Sequence, residues 1–223
     1  MTTFLLVPGA CHGGWWYDPL VDALRERGHD GRAVTLSGLD PAAPQPPPEP
    51  ITLDRHVDDA AAALLEVAPP EGLVLVGHSY GGTVITAVAD RFPERVQALV
   101  YLDAFVPDDG DSCHAMTDDE QRRWYVEGAG RTGLGVDPLP FFDERARPHP
   151  LATLVQRVRL TGRWQEVPLK HYVEAAAWPG ESPFAPTAAR LRTDPAWAVH
   201  TWDTRHNVLW DGPERVLELL VAL

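Results

Sequence analysis

The chain is poor in cysteine: Cys11 and Cys113 are its only two in 223 residues, too few for a disulfide framework and without the spacing of a metal site. No apolar run approaches the roughly 18 residues of a membrane span. The N-terminus, MTTFLLVPGA, has no charged segment ahead of its short apolar stretch, so a soluble cytoplasmic protein is expected. Positive charge is scarce as well. Lys and Arg number 19 against 32 Asp and Glu, a formal net charge of −13, and no basic cluster interrupts the deficit. Such a field repels phosphate backbones and anionic headgroups, which sets aside nucleic acid and membrane surfaces as partners; the charge itself reads as a solubility property. There is no internal repeat at solenoid periods. Neither a metal-ligand cluster nor a phosphate-binding glycine loop occurs, so no cofactor and no metal are expected. What remains is a small-molecule substrate and, at most, a second copy of the chain in a homodimer.

What is present is an alternation. Phe4 to Val7 is a short apolar run closed by Pro8-Gly9, Gly72 to Gly77 is a second, and Ala98 to Leu102 is a third. Between them Asp18 to Arg27 stops at Gly28 as a capped helix does, a helix opens at Thr52 and stops before Pro69-Pro70, and Thr83 to Arg91 ends at Pro93. Arg32 to Leu36 reads as a further strand. Continuously apolar strands alternating with helices imply an α/β fold, a mostly parallel sheet covered on both faces. Pro41 to Pro50 holds six prolines in ten residues and should run extended on the surface as a stiff connector. From Pro107 to Val167 the alternation breaks into charged and glycine-rich turns with no clear strand. It resumes with His171 to Val173 as strand, Thr187 to Leu191 as helix, Ala198 to Thr201 as strand and Pro213 to Leu220 as helix. A core of residues 1–106 and 168–223 carrying a small helical lid, 107–167, is the expected organisation.

Gly77-His78-Ser79-Tyr80-Gly81 is a G-x-S-x-G motif lying directly between strand and helix, the context a nucleophile elbow requires. A serine hydroxyl needs a base. His206, in Asp203-Thr-Arg-His-Asn just after the last predicted strand, is the candidate; His12 is a remote alternative. His171 and His200 read as sheet-face or edge residues, and His29, His56, His114 and His149 as surface. The glycine-rich loop Val7 to Trp16 after the first strand can turn its backbone inwards, so the amides of Ala10 and Tyr80 are the candidate oxyanion donors. Cys11 reads as a small packed side chain. Trp15, Trp16, Trp124, Phe141, Phe142 and Trp178 are candidate substrate-binding aromatics, with Tyr125 and Trp164 as further lid aromatics.

With FLLVPGACHGGWW at 4–16, Arg27-Gly28-His29, VGHSYGG at 76–82, LVYLDAFVP at 99–107 and His206-Asn207 in place, the chain resembles the α/β-hydrolase fold family, in its small esterase and hydroxynitrile-lyase-like branch. The resemblance covers nearly the whole length and implies a serine hydrolase acting on an ester, lactone or thioester of a small, mostly apolar substrate. Members usually carry the triad acid in the loop after the strand that follows the lid; here that loop reads Ala177-Trp178 at the corresponding place. Asp103, at the end of the preceding strand, is the assigned acid, with Glu181, Glu174 and Asp203 as alternatives. Lyases of this type use a lysine after the histidine and a threonine in the first loop, where this chain has Asn207 and Gly9, so cyanide elimination is not expected. A biosynthetic cyclase or acyltransferase, and a catalytically idle binding protein, are the competing readings.

Overall fold

The computed structural model describes residues 1–45, 47, 49–67 and 72–223. Its elements follow the chain as β1 Thr3–Val7, α1 Asp18–Glu26, β2 Asp30–Ala33, α2 Leu53–Val67, β3 Leu73–His78, α3 Gly81–Arg91 and β4 Val96–Leu102. The segment after β4 holds α4 Cys113–Met116, α5 Asp119–Gly128, β5 Gly135–Val136, β6 His149–Pro150 and α6 Leu151–Val155. It is followed by β7 Leu169–Ala175, α7 Ala185–Arg192, β8 Ala198–Trp202, α8 Val208–Asp211 and α9 Pro213–Val221.

Six strands form one sheet in the order β2-β1-β3-β4-β7-β8, every pairing parallel. The alternation of side chains along each strand divides the apolar residues between two cores. Leu5, Val7, Leu75, Leu99, Tyr101 and Tyr172 face α2, α3 and the segment between β4 and β7. Phe4, Leu6, Val74, Val76, Val100 and Val173 face α1 and α9. That is why β1 and β3 are buried at every position: a parallel strand covered on both faces has no wet side. The chain is therefore an α/β fold, a parallel sheet flanked by helices.

Two local expectations shift. The second strand lies at Asp30–Ala33 rather than 32–36, because its register is set by pairing with β1, Thr3 opposite Asp30. The stretch expected to lack strands contains an antiparallel pair, Gly135 opposite Pro150 and Val136 opposite His149. It also contributes Tyr125, Val136, Leu154, Trp164 and Val167 to the larger core. The helix stop at Pro69-Pro70 falls outside the described residues. The described part of the proline block contains neither helix nor strand and is largely exposed. Among the described residues no helix is long and apolar enough to cross a membrane.

Candidate active site

Ser79 sits between β3 and α3 with φ +52, in the left-handed region that a side chain adopts only under constraint. The constraint is local and complete: its N–H donates to the Leu102 carbonyl at 3.3 Å, and its carbonyl accepts from Gly82 and Phe105, each at 3.1 Å. A Cβ on Gly77 would stand 2.7 Å from the Gly81 carbonyl oxygen, and one on Gly81 would strike the carbonyl oxygen of Val7, so the elbow closes only with glycine at both positions. The hydroxyl is thereby held over the first turn of an eleven-residue helix, whose dipole favours developing negative charge. Among the described residues it makes no side-chain hydrogen bond, which leaves it free to rotate.

β4 ends one residue before Asp103, which also takes a positive φ, +43, with its N–H on the Val173 carbonyl at 2.7 Å. The Asp103 carboxylate is fully buried. Oδ1 accepts from the Ala175 N–H at 3.1 Å; Oδ2 accepts from the Trp178 indole at 2.9 Å and from His206 Nδ1 at 2.7 Å. An acceptor-only partner assigns the proton to Nδ1, so His206 keeps its Nε2 lone pair for a base's work. The imidazole, 30% exposed, lies parallel to Phe184 at 5.1 Å and tilted against Trp178 at 4.9 Å. The other carboxylates are engaged elsewhere: Glu174 with Arg192 and with the Thr201 hydroxyl at 2.9 Å, while Glu181 and Asp203 are exposed.

His78, the residue before the serine, was not singled out in the sequence, yet it ties the two halves of the site together. Its Nε2–H donates to the His206 carbonyl at 2.9 Å, and the two rings lie 4.6 Å apart. Burial and the neighbouring His206 ring hold its pKa well below the ordinary imidazole value, so it is a neutral strut.

The loop after β1 spends its amides selectively. His12 N–H donates to Gly9, Gly14 N–H to the Thr35 hydroxyl, and Cys11 N–H to Nδ1 of His149 at 3.2 Å. Among the described residues the N–H groups of Ala10 and Tyr80 have no acceptor. Cys11 holds φ +69, clamped further by Arg147, whose N–H donates to its carbonyl at 2.9 Å. Its thiol, pushed up to about 12 by burial, is inert packing. Beneath the loop lies a polar layer that corrects the surface reading of His56 and His149, both fully buried. The Tyr80 hydroxyl donates to His56 Nδ1 at 2.9 Å, and His56 Nε2–H to the Ser37 carbonyl at 2.9 Å. His149 Nε2–H reaches the Thr153 hydroxyl at 2.9 Å, with its ring 4.5 Å from that of Tyr80. Burial drives His56 down to about 4 and His149 well below its usual range.

The aromatic candidates divide. Trp16 packs on His78 at 4.6 Å and Phe142 on His12 at 4.8 Å. Phe184, which stacks on His206, is an aromatic of the site that the sequence reading did not name. Trp178 binds Asp103 instead of serving only as wall. Trp124 donates its indole N–H to the Asp137 carbonyl at 3.1 Å and lies edge-on to Phe142. Phe141 is 80% exposed and touches the group only through Phe142. Trp15 lies under the Arg145 guanidinium and lines an open groove of about 540 Å³ beside α1 and β2, which includes none of Ser79, Asp103 and His206. His12 donates Nδ1–H to the Ala10 carbonyl at 2.7 Å, and burial lowers its pKa. His171 and His200 stack on one another at 5.5 Å across β7 and β8. Among the described residues no group of three or more His, Cys, Asp or Glu is arranged to hold a metal ion.

An elbow serine, a carboxylate-bound histidine and two free amides on this sheet define the class of α/β hydrolases, and comparison with known proteins agrees. Residues 2–184 match the alpha/beta hydrolase fold family, and the chain belongs to it. It is 34% identical, over 100% of both chains, to a carbendazim hydrolyzing esterase of Nocardioides sp. strain SG-4G. Over 56% of its length it is 39% identical to esterase PIR7B of Oryza sativa subsp. japonica, spanning 47% of that protein. A solved extracellular alpha/beta-hydrolase from a Paenibacillus species superposes with a TM-score of 0.82 at 21% identity, over 100% of this chain and 98% of that one, which speaks for the fold. The names of the sequence relatives support the enzyme class read from the sequence, a carboxylic ester hydrolase.

Proposed function

We propose that the chain is a serine hydrolase working through Ser79, His206 and Asp103. The carrying observation is the 2.7 Å bond between the buried Asp103 carboxylate and His206 Nδ1, which leaves Nε2 with its lone pair as the base. His206 takes the Ser79 proton as the oxygen attacks the acyl carbon, and the amides of Ala10 and Tyr80 stabilise the oxyanion that forms. His206 then protonates the leaving alcohol and activates water against the acyl-enzyme. Binding of the ester between elbow and imidazole supplies the close approach that catalytic hydrogen bonds reach only in the loaded site.

The aromatic rings packed on the site's histidines, Trp16 on His78, Phe142 on His12 and Phe184 on His206, support a small, mostly apolar ester, lactone or thioester as substrate, and the esterase names of the relatives support hydrolysis over transfer. The test is covalent. A fluorophosphonate probe should add once, on Ser79, and the adduct should vanish in His206→Ala. A chain that only binds ligands would give no adduct, and a cyclase or acyltransferase would label yet release no free acid from an activated ester.

A further inference from the structure

The loop after β7 has no aspartate and its Glu181 is exposed, but its backbone is firmly held. The Ala176 N–H donates to the Trp202 carbonyl at 2.8 Å and the Ala177 N–H to the Thr204 carbonyl at 2.9 Å, so the next residue, Trp178, projects from a fixed point on the end of β8. Its indole N–H donates to Asp103 Oδ2, the same oxygen that receives His206. An indole nitrogen is a donor only. It cannot act as the acid, but it can supply one of the donors that a buried carboxylate needs.

We propose that Trp178 is the positioning residue of the acid: from the loop after β7 it fixes the Asp103 carboxylate, which has moved to the end of β4, in the rotamer that reaches His206. This rests on Asp103 being the acid of the proposed triad. Two donors, Ala175 N–H and the indole, approach from the β7 side and hold the two oxygens, and the third bond, to His206, then has one available direction. Without the indole, Oδ2 keeps His206 as its sole partner and the carboxylate gains freedom about its terminal torsion. The cost falls on turnover through His206, because Trp178 itself has no atom on the reacting bond in this reading.

Trp178→Phe is the discriminating variant. It keeps an aromatic ring at the position that meets His206 and Phe184 and removes the N–H together with part of the indole's bulk. With p-nitrophenyl acetate as the probe, kcat/KM should fall about 30-fold, the effect of one hydrogen bond to a charged group, while thermal unfolding shows a folded chain. In proton NMR, the low-field resonance of the His206 Nδ1 proton should broaden in the variant as the loosened bond exchanges faster with solvent, whereas the altered ring 4.9 Å away would by itself only move it. Should Trp178→Phe fail to fold, the intact chain still decides. Its Trp178 indole resonance, assigned through contacts to Phe184, should lie downfield of that of the exposed Trp210 and shift in Asp103→Asn. Activity within twofold of the parent in Trp178→Phe, or an indole resonance indifferent to Asp103→Asn, overturns the proposal while leaving the triad reading standing if Asp103→Asn is inactive. An active Asp103→Asn overturns the triad reading itself, and this inference with it.

Discussion

Replacing Asp103 with Asn changes one oxygen into an NH2 group and nearly nothing in volume, so its effect isolates the acid's chemistry. All three partners of the carboxylate are donors: Ala175 N–H on one oxygen, the Trp178 indole and His206 Nδ1 on the other. An amide can satisfy one side only. If its oxygen faces Ala175, the NH2 faces both the indole N–H and Nδ1. His206 must then surrender the Nδ1 proton and carry it on Nε2, where it can no longer accept the serine proton. If the oxygen faces His206, the NH2 collides with the Ala175 N–H in a fully buried place, an unpaired cost of roughly 1–3 kcal/mol. The first arrangement abolishes the base, while the second keeps it at the cost of a donor–donor contact in the core, so turnover falls to the extent that the first is populated. We expect kcat/KM on a short-chain p-nitrophenyl ester at pH 8 to drop by about three to four orders of magnitude, equivalent to about 4–5.5 kcal/mol of transition-state stabilisation. Glu181→Gln and Glu174→Gln should remain within a few-fold of the parent, because Glu181 is exposed and Glu174 is bound to Arg192 and Thr201. A folded Asp103→Asn that retains a tenth or more of parental activity, with the loss appearing instead in Glu181→Gln, would refute the assignment.

Other outcomes follow from the same geometry. His149→Phe removes the acceptor that holds Cys11 N–H and so loosens the Ala10 amide; kcat should fall about tenfold or more, short of the roughly 100-fold loss of a whole oxyanion donor, with KM little changed, and equal loss in both constants would argue for a binding defect instead. Gly77→Ala places a Cβ 2.7 Å from a backbone oxygen that cannot retreat, so denaturant midpoints should report a loss of about 1–3 kcal/mol or an unfolded product. Stability should decline in acid. His56 is held neutral, its pKa lowered to about 4 from 6.5 by burial. Its contribution is therefore complete above pH 6.5 and is lost progressively as pH falls from 6.5 toward 4, about 3 kcal/mol for this residue alone. His149 and His78, also lowered by burial, act in the same direction. Melting temperature against pH in His56→Leu should show a shallower acid limb, and an unchanged limb would remove His56 from the account.

How far the sequence carried the reading depended on how local each signal was. The elbow is written in five consecutive residues, and the strands β1, β3 and β4 in uninterrupted apolar runs, so Ser79 and the sheet could be located directly. Asp103 and His206 were reachable because each stands just past a strand end, where the sheet's C-terminal edge gathers its loops. The polar layer under the loop after β1 was not legible. His149 meets Cys11 across 138 residues of chain, and His56 is buried only because Tyr80 and the Ser37 carbonyl complete its hydrogen bonds. In sequence, each is one polar residue in a polar neighbourhood. Trp178 failed to declare itself for the opposite reason: an indole reads as apolar surface until the carboxylate 75 residues earlier is seen to take its N–H.

That same pairing supports the proposal that the acid stands at the end of β4 rather than after β7. β4 and β7 are hydrogen-bonded neighbours in a parallel sheet, Leu102 opposite Val173, so both deliver their next residues to one edge. Adjacent strands are about 4.8 Å apart, close to the span of a carboxylate side chain with its hydrogen bond. Asp103 covers that distance because its positive φ turns the chain at the strand end while the Val173 carbonyl secures its N–H. The loop after β7 is then released from supplying a charge but not from supplying order. An apolar or small residue at 178 would leave Oδ2 with one donor fewer in a site closed to water. The indole answers that need while bringing a ring to the face of His206.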